Sequence, residues 1–338
     1  MSRSASGALI GEADGVAFDL PEWTANEKTV AERLAVLDEM RLDIQVLSIA
    51  PRFHRYGADN AASVALARDM NNDLAELISA APARLAGLIH LPLQDPSASV
   101  AEIERMAGMP GILGAAVGTN VNGMAWDSPE LLPVLQAVQD SGSFVFFHPA
   151  NRPKDARMDR FHLKNLIGNP LETTLAIAAL IFGGVLDRLP DAKLCFAHAG
   201  GYSVLGVGRF DQGYHERSDT REIATGLPSE YLKRLYFDSI IFSERALRHI
   251  VDVVGASQIV LGSDYPADMG TTDPVGFIES CSTLDVKEKH AILGGNLEGL
   301  IGAIETTRTG RQASSPDAGP STLEEQHSHD TRQKIQTS

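Results

Sequence analysis

Cysteine is almost absent from this sequence: Cys195 and Cys281 are the two that occur among 338 residues. Two cysteines cannot build the disulfide framework of a small secreted protein, and Cys195 lies inside an apolar run, which is typical of a small core residue. Positive charge is also scarce, because 29 lysines and arginines face 44 acidic residues and give a formal net charge of −15. This balance, without any basic cluster, disfavours a nucleic-acid-binding protein.

Long hydrophobic runs are missing as well. No segment approaches the ~18 apolar residues that a membrane helix needs, and the N-terminal stretch lacks the apolar centre of a signal peptide. Hydrophobic residues still make up 43% of the chain, which suits a protein with a sizeable core. We therefore expect a soluble, cytoplasmic protein without a membrane or nucleic-acid partner, and its length allows one large α/β barrel or two ordinary domains.

The chain does contain a regular alternation of short apolar runs and amphipathic segments. The runs predict strands at Ile44–Pro51, Leu85–Pro92, Gly111–Gly118, Ser143–His148, Leu194–His198, Leu235–Ser239 and Gln258–Asp264. The amphipathic segments predict helices at Thr29–Met40, Asn60–Ala80, Ser97–Met106, Pro129–Asp140, Leu171–Leu189, Ser243–Val254 and Val286–Leu293. Such alternation indicates βα units and a parallel sheet, and near-continuous apolar strands indicate a sheet that is covered on both faces.

These elements predict an α/β fold of the (β/α)8 barrel type with one strand missing, since seven strands are found and no good candidate precedes Ile44. An open doubly wound sheet is the alternative, but no glycine-rich phosphate loop follows the first predicted strand. The barrel domain is expected to span residues 29–305. Residues 1–28 are predicted to be irregular, and the polar tail over residues 306–338 is predicted to be disordered.

Three predicted strands end in residues that bind metals well: His148 in FFHP, His198 in AHAGG and Asp264 in GSDYP. In a barrel, the carboxyl ends of different strands converge on one rim, where catalytic groups gather. Two imidazoles and a carboxylate suit a divalent metal ion, with zinc favoured by the nitrogen and oxygen ligands. The alternative for each residue alone is a hydrogen-bonded structural role. Asp238, which also ends a strand, is a weaker candidate for a hydrogen-bond partner of the ligands.

At this point the sequence resembles the amidohydrolase-related metal-dependent decarboxylases, the family of aminocarboxymuconate-semialdehyde decarboxylase. The resemblance covers about Val30 to Gly302. It depends on the motifs LSIAP, NNDLA, GLIHLPLQDP, VGTNVNG, FFHPA, NLIGNPLETTLA, FGGVLDRLPDAKLCFAHAGG, PSEYLKRLYFDS and VLGSDYP. It implies a distorted barrel of the metal-dependent hydrolase superfamily that binds one divalent metal, usually zinc.

The resemblance also implies roles for individual residues. His148 and Asp264 match metal ligands, and His198 matches a histidine beside the metal that acts as a base. Arg209 matches an arginine that reaches the substrate carboxylate of a neighbouring subunit, which implies a homodimer. Asn165, in the loop after His148, is expected to line the pocket. The predicted site is therefore His148, His198 and Asp264 for the metal, His198 and Asp264 for catalysis, and Arg209 and Asn165 for the substrate.

The sequence departs from the family in one respect. The family carries a His-X-His ligand pair on its first strand, and no such pair precedes Ile44. The one His-X-His in the chain, His327 to His329, lies in the polar tail, with the wrong order in the chain and no strand beneath it. Two explanations stay open, a start assigned too late or a true loss of the first strand.

Three functions are compatible with these residues. The first is a non-oxidative decarboxylase that releases CO2 from a small conjugated or aromatic carboxylic acid. The second is a metal-dependent hydrolase of a lactone or an amide, because the same site could activate water. The third is an inactive, truncated relative. The resemblance favours the decarboxylase, whereas residue types alone do not choose between decarboxylation and hydrolysis.

Overall fold

A computed structural model describes residues 29–304 and, before them, the backbones of three short strands, β1 (Ser2–Arg3), β2 (Leu9–Ala13) and β3 (Val16–Leu20). These strands pair antiparallel as a separate sheet, although residues 1–28 were expected to be irregular. The polar tail, with its predicted disorder, lies outside the described residues, as does the His327–His329 pair. The predicted domain limits stay a prediction.

The main sheet consists of seven parallel strands, as the sequence predicts. Along the chain they are β4 (Gln45–Leu47), β5 (Leu85–His90), β6 (Ile112–Gly118), β7 (Phe144–His148), β8 (Lys193–Phe196), β9 (Tyr236–Asp238) and β10 (Ile259–Val260). Each strand pairs with the next one in the chain, and within the described residues β4 and β10 form the two edges. The fold is therefore a TIM-type barrel that lacks one strand in the part that the structure describes.

Helices cover the outer face of this sheet. They are α1 (Val30–Glu39), α2 (Asn60–Ser79), α3 (Pro96–Met106), α4 (Leu132–Asp140), α5 (Asn169–Phe182), α6 (Val185–Arg188), α7 (Val207–Glu216), α8 (Pro228–Leu232), α9 (Glu244–Val254), α10 (Pro274–Ser280) and α11 (Val286–His290). Short 3-10 turns lie at Pro51–Phe53, Ala156–Met158, His198–Gly200 and Ala256–Gln258, and π-helical turns at Lys164–Gly168 and Ala291–Gly295.

Several predicted elements are shorter or divided in the structure. The predicted strands Ile44–Pro51 and Leu194–His198 are reduced to β4 and β8, and His198 lies beyond its strand in a 3-10 turn. The predicted helix Val286–Leu293 is α11 followed by a π-helical turn. The predicted helix Leu171–Leu189 is α5 followed by α6, because the chain turns at Gly184, whose φ of 66° belongs to the left-handed region. The predicted strand Gln258–Asp264 contains only β10, and Asp264 lies beyond it in a loop. Periodicity identified these elements but could not locate their ends, which depend on glycine turns and tertiary contacts.

The sheet separates two groups of buried side chains. The larger group lies between the sheet and the helices and contains Phe147, Phe196 and Phe237 from three adjacent strands. The smaller group fills the inside of the barrel, and it includes Ala116, Phe144 and Cys195 together with Ile304 near the end of the described chain. Because side chains alternate along a strand, the strand residues that follow Phe147 and Phe237 turn towards the inside of the barrel.

One apolar segment, Lys164–Phe182, is long and hydrophobic enough to cross a membrane by length and composition, with a mean hydropathy of 1.3. It includes α5, whose residues Ile177, Leu180 and Ile181 are completely buried against the sheet. A helix at the centre of a folded core has the same composition, so this segment is weak support for a membrane span.

Gly114 of β6 offers a test of this packing. A Cβ atom at Gly114 would lie 1.8 Å from the backbone oxygen of Phe144 on β7, next to the point where the register between β5 and β6 shifts. We expect Gly114→Ala to force these strands apart and to lower the free energy of unfolding by about 1–3 kcal/mol, as overpacked cores do. Urea unfolding followed by circular dichroism would measure this loss.

Gly108→Ala is the matched control, because nothing lies within 4 Å of a Cβ at that position. Equal stability of the two alanine variants would contradict the strand packing described here.

Candidate metal and substrate site

Three side chains with metal-binding atoms meet at the carboxyl-terminal edge of the sheet. They are His148, His198 and Asp264, and one ligand atom from each lies within 4.8 Å of the other two. His148 is the last residue of β7, His198 follows β8, and Asp264 follows β10. The structure thus brings together the three residues that the sequence predicted as ligands, and each is partly accessible.

His148 is held in a fixed orientation at the end of its strand. Its Nδ1 atom lies 3.1 Å from the backbone oxygen of Pro149, so Nδ1 donates and the Nε2 lone pair is free for a ligand. Nε2 lies 3.9 Å from a carboxylate oxygen of Asp264, and the ring meets that of His198 edge to face with centroids 4.9 Å apart. An Nδ1 bonded to a carbonyl is the usual way to orient a metal-binding imidazole.

His198 lies on a strained turn that Asp238 holds together. His198 and Ala199 both have φ values in the left-handed region, at 55° and 53°. The carboxylate of Asp238 accepts hydrogen bonds from the backbone N–H groups of His198, Ala199 and Ile240, at 3.0, 2.8 and 3.1 Å. Asp238 is therefore a hydrogen-bond partner of His198, as the sequence suggested, and it holds that residue through the backbone. Its buried carboxylate uses these three donors to offset the cost of desolvation.

The residue that follows this turn must be a glycine, because there is no space for a side chain. A Cβ atom at Gly201 would lie 2.2 Å from the backbone oxygen of Pro170 at the start of α5, and the φ of Gly201 is 64°. The close approach of α5 to the turn fixes the position from which the His198 ring enters the site.

The site disfavours charges of either sign. Burial and then the neighbouring His198 lower the pKa of His148 to about 3, and burial lowers the pKa of His198 below its usual value. Burial also raises the pKa of Asp264 to about 6 and that of Asp238 to about 6. At neutral pH both imidazoles are therefore neutral, which is the form that binds a metal ion.

The donor set fits a divalent metal. Two imidazole nitrogens and one carboxylate oxygen are ligands that zinc and manganese accept. The Nδ1 atom of His198 is buried without a hydrogen-bond partner among the described residues, which is costly unless a ligand pairs with it. A cation would also relieve the cost of burying the Asp264 carboxylate.

The two predicted substrate-binding residues lie on the segments that follow His148 and His198 in the chain. Asn165 is half-buried in the π-helical turn before α5, in the loop that follows His148. Arg209 is exposed in the first turn of α7, and among the described residues its guanidinium forms no hydrogen bond or ion pair. Asp211 and Glu216, the two acidic residues of α7, accept hydrogen bonds from the backbone N–H of Ser229 and from the side chain of Gln212 instead.

Sequence reasoning missed a cation that acts directly on the site. Arg152, four residues after His148, is exposed, and its charge lowers the pKa of both His148 and His198. Its guanidinium donates to the side-chain oxygen of Asn169 at 2.5 Å. The position of Arg152 in the loop after a ligand strand was the available signal, because such loops form the pocket of a barrel.

A second pair of imidazoles, also missed as a site, lies on the same edge of the sheet. His54 follows the 3-10 turn after β4, and His90 is the last residue of β5. Their Nδ1 atoms are 3.3 Å apart, and each residue is only 3% exposed. In the sequence, His90 is flanked by leucine and isoleucine, which suits either a core histidine or a residue of the pocket, and nothing singles out His54.

Comparison with known proteins places this geometry in a wider group. The chain is 36% identical over 271 residues to 2-amino-3-carboxymuconate-6-semialdehyde decarboxylase of Dictyostelium discoideum, which covers 80% of this chain and 76% of that protein. The solved structure of 5-carboxyvanillate decarboxylase from Sphingomonas paucimobilis superposes with a TM-score of 0.73 at 27% identity, covering 81% of this chain and 83% of the other.

A third similar structure, at 22% identity, supports the fold alone. It is a dihydroxybenzoic acid decarboxylase from Polaromonas sp. with bound manganese and the inhibitor 2-nitroresorcinol, with a TM-score of 0.74 over 83% of this chain and 89% of that one. The amidohydrolase family model matches residues 18–298, which include the whole parallel sheet and all three clustered ligand-type residues. The chain therefore belongs to the amidohydrolase family.

Proposed function

We propose that this chain is a metal-dependent, non-oxidative decarboxylase of a small aromatic or conjugated carboxylic acid. The observation that carries the proposal is the convergence of His148, His198 and Asp264 from three strand ends, in a chain 36% identical to a decarboxylase. Relatives with solved structures are also named as decarboxylases of aromatic acids. The hydrolase alternative would use the same three residues, and the names of the relatives favour the decarboxylase.

His148 and Asp264 would hold the metal ion, and His198 would lie beside it, because an imidazole that delivers a proton cannot use the same lone pair to bind a metal. When bound, a divalent metal supplies Lewis-acid stabilisation of negative charge on the oxygens of the substrate. Zinc suits a set of nitrogen and oxygen ligands, and manganese is the alternative that the Polaromonas structure suggests. The protein contributes the orientation of His148 through Pro149 and the backbone turn of His198 through Asp238.

His198 is the group that moves a proton. Decarboxylation breaks the bond between the ring carbon and the carboxylate carbon, CO2 leaves, and the ring carbon gains a proton. His198 gives that proton and recovers one from solvent. Burial lowers its pKa, so its imidazolium is a stronger acid than usual and transfers a proton to carbon more readily. The negative charge of the substrate carboxylate allows the imidazolium to form in the buried site.

We expect the chain with added Mn2+ or Zn2+ to release CO2 from at least one acid named for its relatives, and His198→Gln to lower kcat by about 10²- to 10⁴-fold. The acids are 2-amino-3-carboxymuconate 6-semialdehyde, 5-carboxyvanillate and dihydroxybenzoic acid. Mass spectrometry of the products and headspace CO2 would measure the reaction. His215→Gln, at an exposed position on α7, is the matched control.

Ring opening or amide cleavage without loss of carbon would support the hydrolase instead. No CO2 from any of these acids, with metal bound, would count against the decarboxylase proposal.

Metal affinity should depend on pH through Asp264. A proton competes with the metal for this carboxylate, whose pKa burial raises to about 6. His148 stays neutral throughout, because its pKa is about 3. We expect the affinity for Mn2+ to be constant above pH ~7 and to fall about tenfold for each pH unit well below ~6, as one competing proton requires. Calorimetric titration would measure this, and Asp264→Asn should bind more weakly without the pH-dependent fall. An unchanged fall in that variant would exclude Asp264 as the ligand.

We also propose that the protein is a homodimer in which Arg209 binds the substrate carboxylate of the partner subunit. Exposed apolar side chains in the loops after His148 and His198 support this. They are Phe161, Leu166, Ile167, Tyr202 and Leu205, and Leu175 of α5 is also exposed. Tyr202 ties the two loops together by donating to the backbone oxygen of Leu166 at 3.4 Å. Exposed apolar surface is typical of protein interfaces, and Arg209 lies four residues after Leu205.

Mixed dimers would test the shared site. Arg209→Ala and His198→Gln should each be inactive alone, but dimers refolded from an equal mixture should recover about a quarter of the wild-type activity. Half of the dimers are then mixed, and each contains one site with both residues intact. Each variant refolded alone is the control. If Arg209 acted within its own subunit, no activity would return.

A cytoplasmic location, expected from composition, stays part of this proposal. Fractionation of cells that express the tagged chain would test it.

A further inference from the structure

The buried histidine pair at the start of the sheet has a free ring nitrogen. The Nδ1 atoms of His54 and His90 face each other at 3.3 Å, but the Nε2 atom of His54 is buried and has no hydrogen-bond partner among the described residues. Nearly all buried polar groups in proteins are paired, so an unpaired one needs an explanation. The surroundings of His54 support one explanation, namely that this nitrogen contacts a bound ligand.

Those surroundings hold the pair firmly. His54 stacks on Tyr56 with ring centroids 5.3 Å apart, and the Tyr56 hydroxyl accepts a hydrogen bond from the backbone N–H of Gly118 at 2.9 Å. The backbone of His90 is fixed by Asn71, which donates to its oxygen and accepts from its N–H at 2.9 and 2.8 Å. A group that is fixed this well on all sides except Nε2 is preorganised for one contact.

The pair lies beside the metal site. His90, Gly118 and His148 end the adjacent strands β5, β6 and β7, so His90 and His148 are about 10 Å apart across two strand spacings. Ala116, which pairs with His90, belongs to the inner group, and alternation along β7 turns His148 to the side of Phe144 and Phe146. His148 also acts electrostatically on His54, whose pKa it lowers after burial and His90. Between the two clusters, β6 ends in Gly118, which has no side chain to separate them.

The contact between the two rings restricts their protons. One Nδ1 must carry a hydrogen and the other must present a lone pair. If His90 donates, neutral His54 carries its proton on Nε2 and donates to a ligand; if His54 donates, its Nε2 accepts. A neutral pair that can either donate or accept suits a hydroxyl group, which does both, and it suits a carboxylate or an ammonium group poorly because the pair is buried.

We propose that the His54–His90 pair binds a hydroxyl substituent on the aromatic ring of the substrate, with His54 Nε2 as the contacting atom and His90 as a positioning residue. This inference rests on the proposed function for the ring acid itself and adds the group that selects among such acids. The metal cluster would bind the carboxylate of the substrate, and the histidine pair would bind the hydroxyl group on its aromatic ring, beyond the end of β6.

Binding of four probes to the full chain saturated with Mn2+ tests the proposal. The probes are benzoate and its 2-hydroxy, 3-hydroxy and 4-hydroxy derivatives, measured by calorimetry. We expect at least one hydroxybenzoate to bind about tenfold tighter than benzoate, as one hydrogen bond to an unpaired buried group allows. His54→Asn keeps a polar atom near the Nδ1 position and loses Nε2, so it should abolish this advantage and leave the Kd of benzoate within about twofold.

Two further variants control for indirect effects. His54→Gln, whose amide reaches the place of Nε2, should retain most of the hydroxyl advantage. His249→Asn, the same substitution on the exposed face of α9, should change nothing. The proposal is overturned if no hydroxybenzoate binds tighter than benzoate, if none of the four probes binds, or if the advantage survives in His54→Asn.

Nitrogen-15 NMR of histidine-labelled protein uses the unsubstituted chain, so this measurement does not depend on whether a variant folds. One Nδ1 of the pair should be protonated and the other not, and the His54 Nε2 resonance should move when the preferred hydroxybenzoate binds. Equal protonation states at both Nδ1 atoms, or no movement, would contradict the proposal. Release of CO2 from the acids named for the relatives is a separate measurement: hydroxybenzoate binding without any such release would overturn the decarboxylase proposal and leave the role of the pair intact.

Discussion

The aromatic stack behind the sheet is the interaction on which the site depends. Phe147 and Phe196 stack with centroids 4.7 Å apart, and Phe237 lies 6.4 Å from Phe196. All three are completely buried under the helices, at the ends of β7, β8 and β9. Because side chains alternate along a strand, burying Phe147 outwards turns His148 inwards, and burying Phe237 turns Asp238 towards the turn that carries His198. The packing of the core therefore sets the orientation of the chemistry.

The same burial determines the electrostatics. The inside of the barrel is lined by apolar residues such as Phe144, Cys195 and Ile304. In that environment it lowers the pKa of His90 to about 4 and that of His148 to about 3, while it raises the pKa of Asp264 to about 6. This site contains neutral imidazoles and a carboxylate whose ionised form is disfavoured by burial, so a cation that enters stabilises it. The bound cation in turn attracts an anionic substrate.

Strand periodicity and strand-end chemistry predicted much of this arrangement. His148 was expected at the end of a strand and lies there, because five consecutive residues from Phe144 form that strand and alternate between the two faces. Asp264 was expected to end a strand but follows β10 at a distance, with a φ of 50°. The position of Asp264 depends on a loop conformation, and no sequence period encodes such a conformation.

The residues that were missed show where sequence reasoning stops. Arg152 and His54 lie on loops, and their importance comes from contacts with residues far away in the chain: Asn169 for Arg152 and His90 for His54. Patterns of 2 and 3.6 residues describe one element at a time, so they cannot show that two loops bring their side chains to the same place. The strand order supplies that information, because it makes β5, β6 and β7 neighbours.

The end of β6 links the two histidine clusters physically. Gly118 pairs with His148 on one side, and its N–H holds Tyr56, on which His54 stacks, on the other. A Cβ at Gly118 would lie 2.9 Å from a ring carbon of Tyr56, so any larger residue would push this ring and the His54 that rests on it. Tyr56 is itself buried, at 2% exposure, and has no space into which it could move. A glycine at this strand end thus fixes the histidine pair relative to the metal ligands, because the same short stretch of backbone contacts both groups of residues.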